Sequence, residues 1–175
     1  MTRGTLYLVV GPSGAGKDTL IASARIRRPD LYLMPRTITR PAKDNEHIAV
    51  TEEEFSALKR GYGFSLNWDA NGLRYGISRD LEDRLEAGQS VILNGSRSIV
   101  DDVTARFQPS RIIYVHARLD VLAQRLRERG REDDNEIDLR LARTERAAPK
   151  GPGVITIDNS DSIDDSSEAF LTALG

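Results

Sequence analysis

The sequence predicts an α/β fold, a parallel sheet flanked by helices, and three observations carry that prediction. Short continuous apolar runs recur along the chain. Polar stretches with helical spacing separate them. The first run passes through a glycine-rich turn straight into a helix pattern. Continuous apolar runs suit strands covered on both faces, and strand–helix alternation implies right-handed parallel crossovers.

Taken in order, Leu6–Val10 is the first strand, followed by a helix over Lys17–Arg28 and a weak strand at Leu31–Leu33. Thr51-Glu52-Glu53-Glu54 has the form of a capping box and opens a helix over Thr51–Lys59. A helix over Arg79–Ala87 is closed by Gly88, and Val91–Leu93 is the next strand. Ile112–Val115 is a further strand, before a helix over Leu119–Arg129 with Leu119, Leu122 and Leu126 on one face and Gly130 as its stop. A helix over Glu136–Ala147, a strand at Val154–Ile157 and a helix over Ile163–Leu174 complete the pattern. Residues 35–78 are richer in turn formers and read as an insert facing a substrate. The expected division is a single domain over 1–175, with a core of 1–34, 79–120 and 148–175, the insert at about 35–78 and a lid at about 121–147.

Composition narrows the chemistry. At 175 residues the chain buries roughly two-thirds of its unfolded surface. It contains no cysteine, which excludes disulfides, thiolate zinc sites and a cysteine nucleophile. The two histidines, His47 and His116, are too far apart in sequence to suggest a histidine metal cluster. With 25 basic against 27 acidic residues and a net charge of -2, no global field favours nucleic acid. No apolar run approaches the ~20 residues of a membrane span. The expectation is a cytoplasmic protein with no nucleic-acid or membrane partner, and homodimerisation is left open.

The glycine-rich turn reads Gly11-Pro12-Ser13-Gly14-Ala15-Gly16-Lys17-Asp18-Thr19. This is G-x-x-x-x-G-K between a strand and a helix, the phosphate-loop (P-loop) context. Glycines let backbone N–H groups converge on phosphate oxygens, the helix start adds its positive dipole end, and Lys17 supplies a point charge. Nucleotide binding by Gly11 through Thr19 is therefore expected. The residue after the lysine is ordinarily Ser or Thr, a Mg²⁺ ligand; here it is Asp18. A carboxylate is also a hard-oxygen ligand, so Asp18 is the candidate metal residue. The other reading of Asp18 is a favourable charge in the first helical turn.

Arginines cluster around the joint at Gly130: Arg125, Arg127, Arg129 and Arg131, then Arg140 and Arg143. Either they form a lid over a phosphoryl group whose charge they neutralise, or they are a solvated face paired with Glu128, Glu132 and Asp133. Arg36, Arg40 and Lys43 form a second cationic set. Asn71-Gly72 marks a hairpin turn, expected to present Arg74 and Tyr75 toward Arg40 around an anionic acceptor.

These residues resemble the guanylate kinase family over nearly the whole chain. The loop Gly11–Lys17, Thr37-Ile38-Thr39-Arg40-Pro41-Ala42-Lys43, Arg74-Tyr75-Gly76, and Arg125–Gly130 with Arg140 and Arg143 match its motifs. The resemblance implies acceptor-phosphate binding by Arg40, Lys43 and Tyr75, and places Asp158-Asn159 near the adenine. Three departures bear on the substrate. The position of the guanine-reading glutamate holds Leu66, Asn94-Gly95-Ser96-Arg97 replaces Asp-x-Asp, and an aromatic segment is missing before Thr51. Losing hydrogen-bonding readers removes the preference for guanine.

With Asp18 and Trp68-Asp69-Ala70-Asn71-Gly72, the combination resembles the ribose 1,5-bisphosphate phosphokinases of the same P-loop superfamily. That resemblance implies ATP- and Mg²⁺-dependent phosphorylation of ribose 1,5-bisphosphate to 5-phospho-α-D-ribose 1-diphosphate in phosphonate catabolism. Arg97 and Arg74 become candidates for the distal phosphate, Asn94, Ser96 and Asp69 for ribose hydroxyls, and Arg36 and Arg143 for further substrate contacts. Lys17, Arg129 and Arg140 are the catalytic candidates, with Arg125 on the nucleotide. Two alternatives stand beside this one: a nucleoside monophosphate kinase acting on GMP, and a catalytically inactive module that binds protein partners.

Overall fold

β1 (Leu6–Val10) is buried at every residue and is the central strand of the larger of two sheets. The computed structural model describes residues 2–41, 47–130, 133–145, 148–151 and 153–175, with Glu145 described by its backbone alone. The larger sheet joins β1 to β2 (Tyr32–Leu33), β7 (Val91–Asn94), β8 (Ser110–His116) and β9 (Val154–Asp158) in the order β2-β7-β1-β8-β9. All its pairings are parallel, as continuous apolar strands linked by helices require. Its helices are α1 (Lys17–Arg27), α3 (Asp80–Glu86), α4 (Val100–Arg106), α5 (Leu119–Arg129), α6 (Asp134–Glu145) and α7 (Ile163–Leu174).

Residues read from sequence as a turn-rich insert fold into a second sheet. It has the order β4-β3-β6-β5, from β3 (Arg36–Ile38), β4 (His47–Ala49), β5 (Phe64–Ala70) and β6 (Leu73–Ser78). β5 and β6 form the hairpin at Asn71-Gly72, both of them left-handed with φ of 52° and 75°, as that dipeptide favours. α2 (Glu52–Arg60) covers one face. Its Thr51 side chain accepts from Glu54 N, and the Glu54 carboxylate accepts from Thr51 N, so the expected capping box is present.

Two side-chain layers sandwich the larger sheet. On one side Leu6, Leu8, Val10 and Leu93 pack with Leu66, Trp68 and Ile77 of the second sheet, so both sheets share one apolar core. On the other, Tyr7, Val9, Ile92, Ile113 and Val115 meet α1 and α7 through Leu20, Ile21, Ala24, Phe170 and Leu174. A smaller cluster of Ala123, Leu126 and Ile137 joins α5 to α6. Leu122 and Leu126 are buried as their spacing predicts, whereas Leu119 at the start of α5 stays partly exposed. α4 is absent from the sequence reading: it is short and buries only Val103, too few positions for a visible period.

Candidate active site

The phosphate loop leaves β1 at Gly11 and enters α1 at Lys17, and backbone freedom sets its path. Gly16 caps α1 in the left-handed region at φ 90°, and a Cβ there would lie 2.3 Å from Asn159 Nδ2. Asn159 is 2% exposed, and its Nδ2 donates to Ala15 O at 2.8 Å. Arg125 reaches the same loop, donating from Nη1 to Gly14 O at 3.3 Å and from Nη2 to Asn159 O at 2.8 Å. Inside the loop Lys17 Nζ donates to Gly11 O at 2.8 Å and Pro12 O at 2.9 Å. The ammonium bridges the two carbonyls at the start of the loop.

Desolvation of that ammonium is the largest influence on Lys17 and lowers its pKa from 10.5 to about 8. Asp18 opposes the shift, while Arg36, Arg97 and Arg129 add to it. Arginines from β3, from the turn after β7 and from α5 therefore act on one lysine. Arg129 Nη2 and Arg140 Nη1 both donate to Ser13 Oγ, at 3.2 Å and 3.1 Å. A loop hydroxyl thus gathers arginines from both α5 and α6, a contact without a sequence signal because Ser13 reads simply as loop. Arg143, in the last turn of α6, is exposed.

In the second sheet, Arg36 Nη2 lies 2.7 Å from His47 Nε2 and its guanidinium is 6.0 Å from the Tyr75 ring. Tyr75 stacks on Trp68, centroids 5.3 Å apart and planes 2° apart. Arg40 is half-buried in the bend after β3, and Lys43 lies outside the described residues.

Strand alternation corrects the expected pairing of Arg74 with Tyr75, since successive side chains leave a strand on opposite faces. Arg74 turns toward α2. Its Nη1 donates to Ser56 Oγ at 2.8 Å and Glu52 Oε2 at 3.3 Å, and its guanidinium sits 4.4 Å from the Phe55 ring centroid. Asp69, opposite Arg74 in the hairpin, shares that outer face, with its Oδ1 3.9 Å from Arg74 Nε. Neither joins Tyr75 on the inner face, so the assignments of Arg74 to a distal phosphate and of Asp69 to a ribose hydroxyl are withdrawn.

At the end of β7, Asn94 Nδ2 donates to Asp18 Oδ1 at 2.6 Å, while Asn94 Oδ1 is buried without a partner among the described residues. Arg97 Nη1 is likewise buried and unpartnered. Ser96 Oγ accepts from Ser98 N at 3.2 Å and caps the 3₁₀ turn Arg97–Ile99. Asp158 is held by the turn that follows it: Ser160 donates to its carboxylate from both hydroxyl and backbone N–H, holding its pKa below the usual range. An Asp18 oxygen beside an unsatisfied amide oxygen is a hard-donor pair that fits Mg²⁺, an ion that keeps several waters. No group of three His, Cys, Asp or Glu capable of holding a metal occurs among the described residues.

A parallel sheet whose central strand feeds a lysine-bearing phosphate loop, under arginines from two helices, defines a P-loop phosphotransferase. A family model described as an AAA domain matches residues 6–149. The ribose 1,5-bisphosphate phosphokinase PhnN of Burkholderia pseudomallei is 39% identical over 178 residues, spanning 99% of this chain and 97% of that protein. The chain belongs to that PhnN family of ribose 1,5-bisphosphate phosphokinases, within the AAA-domain proteins. A bifunctional ribose 1,5-bisphosphokinase-thymidine phosphorylase of Cupriavidus necator is 40% identical over 174 residues, 98% of this chain but 29% of that longer protein. Among solved structures, guanylate kinase from Anaplasma phagocytophilum superposes with a TM-score of 0.71 at 18% identity, covering 99% of this chain and 86% of that one. This likeness shows the shared fold. Among the described residues no helix is long and apolar enough to cross a membrane.

Proposed function

We propose that the chain transfers the γ-phosphoryl group of ATP to the 1-phosphate of ribose 1,5-bisphosphate, forming 5-phospho-α-D-ribose 1-diphosphate and ADP. An acceptor phosphate oxygen forms the new P–O bond as the bond between the γ-phosphorus and the β–γ bridging oxygen breaks. The observation that carries this choice is Leu66, which stands where a guanylate kinase carries its guanine reader and is 1% exposed in the apolar core. The PhnN relatives support the same substrate by their names.

The chemistry is positioning and charge neutralisation, because an ionised phosphate needs no strong base. Lys17 draws the transferring group to the cradle, and Arg129 and Arg140 move from Ser13 onto it. Arg36, Arg40, Lys43 and Tyr75 hold the reacting acceptor phosphate. The buried, unpartnered Nη1 of Arg97 supplies a donor for a second anionic group, and the Ser96 hydroxyl and Arg143 lie outside that minimal set. Mg²⁺ at Asp18, when bound, supplies charge neutralisation at the β- and γ-phosphates. On this reading residues 1–34, 79–120 and 148–175 are the core, about 35–78 hold the acceptor and about 121–147 close over the donor, in a cytoplasmic enzyme of phosphonate breakdown.

An ADP-release assay comparing ribose 1,5-bisphosphate with GMP tests the proposal. Turnover is expected with the sugar bisphosphate and at background with GMP. Turnover with GMP alone overturns the substrate, and ATP binding without turnover on either acceptor points to a binding module.

A further inference from the structure

Asn94 ends β7, and the parallel register pairs Val9 with it, one residue before the last of β1. Gly95 N donates to Val9 O at 2.9 Å, fixing the chain as it leaves the strand beside the loop. The Asn94 side chain, 7% exposed, then reaches the first turn of α1 and meets the Asp18 carboxylate. The carboxylate settles the orientation of the amide. With Oδ1 turned toward Asp18, two acceptors would oppose each other at hydrogen-bond distance, so the NH₂ group faces the acid.

P-loop nucleotide enzymes ordinarily place a hydroxyl after the lysine and a carboxylate on a neighbouring strand, and the two share the divalent cation. Here the two positions have traded chemistry: the acid sits on the helix and a neutral side chain on the strand. We infer that Asn94 is a positioning residue for Asp18, and that the Asp18–Asn94 pair replaces the usual hydroxyl–carboxylate pair at the cation end of the site. The amide holds the carboxylate in one orientation, and its remaining oxygen, buried and unsatisfied, accepts from a metal-bound water. An aspartate at position 94 would instead set two like charges in contact. This places Asn94 at the cation end of the site instead of on a ribose hydroxyl, since its donor is already engaged.

The inference rests on the proposed use of a divalent cation with ATP but not on the acceptor, so its test contains no sugar. Mn²⁺ binding to the enzyme–ADP complex, followed by electron paramagnetic resonance of free Mn²⁺, is the measurement. Asn94→Ala is expected to weaken Mn²⁺ by ~10- to 100-fold, the range for groups that orient metal ligands. Asp18→Ser is expected to weaken it at least as much, and so is Asn94→Asp. The exchanged variant Asp18→Ser/Asn94→Asp is expected to recover most of the loss by restoring the ordinary arrangement. Wild-type Mn²⁺ affinity in Asn94→Ala, or an exchanged variant no better than Asp18→Ser, overturns the inference. If Asn94→Ala does not fold, recovery of Asn94→Asp by Asp18→Ser decides alone. A failure of ribose 1,5-bisphosphate as substrate leaves these outcomes unchanged.

Discussion

Lys17 holds a proton in a corner where desolvation and three arginines disfavour it. The sign of the linkage follows from a folded pKa of about 8 below the ordinary 10.5. Under pH 8 the lysine is charged in both folded and unfolded states, and the folded state bears the whole cost. Between about 8 and 10.5 the unfolded chain binds more protons, so stability rises with pH; above that range the cost is gone. Lys17→Met is therefore expected to raise the melting temperature of the nucleotide-free enzyme at pH 7, with the gain fading by pH 10.5. The same variant is expected to lower kcat/KM by at least ~100-fold, the scale for removing one preorganised electrostatic group. A thermal scan across pH and a turnover assay read the two effects separately. Single residues were legible wherever spacing encodes the contact. The loop from Gly11 to Lys17 was, because one backbone turn brings its groups together. Asp18 and Asn94 each stood out as a departure, but 76 positions separate them, and only the pairing of β1 with β7 makes them neighbours.

The hairpin of β5 and β6 shows what a one-residue step does. Asn71-Gly72 predicts the turn, yet which of Arg74 and Tyr75 faces inward depends on which face the strands bury. Leu66, Trp68 and Ile77 settle that by joining the core, so Tyr75 follows them and Arg74 goes to α2. The sequence reading took the two as adjacent readers of one ligand, which alternation forbids. α2 itself was legible at its start because its cap is local in sequence. Thr51→Ala removes the acceptor for Glu54 N and is expected to cost ~0.5–2 kcal/mol in denaturant unfolding. Retained stability would mean that tertiary packing of Phe55 holds the helix start without its cap.

Across the molecule, the strands and helices of the larger sheet other than α4 were readable because each pattern is continuous, while the smaller sheet was legible only at its hairpin turn. β3 and β4 have only three residues each, and their partners are set by the chain path. Arg36, His47, Trp68 and Tyr75 come together only through that sheet. The contact joining α5 to α6 is a separate apolar cluster in which Ile137 is 1% exposed. Ile137→Ala is expected to speed amide exchange over Asp134–Glu145 by at least ~10-fold while β1 stays protected. Equal acceleration in both segments would show that this cluster unfolds with the body.

The apolar layer that Leu66, Trp68 and Ile77 share with Leu6 and Leu8 has a mechanical consequence. It welds the second sheet to the strand that feeds the phosphate loop, so on the proposed reading the acceptor's seat and the cradle form one anvil. On the proposed reading, the travel needed to bring the phosphates together then falls to α5 and α6, which carry Arg129 and Arg140.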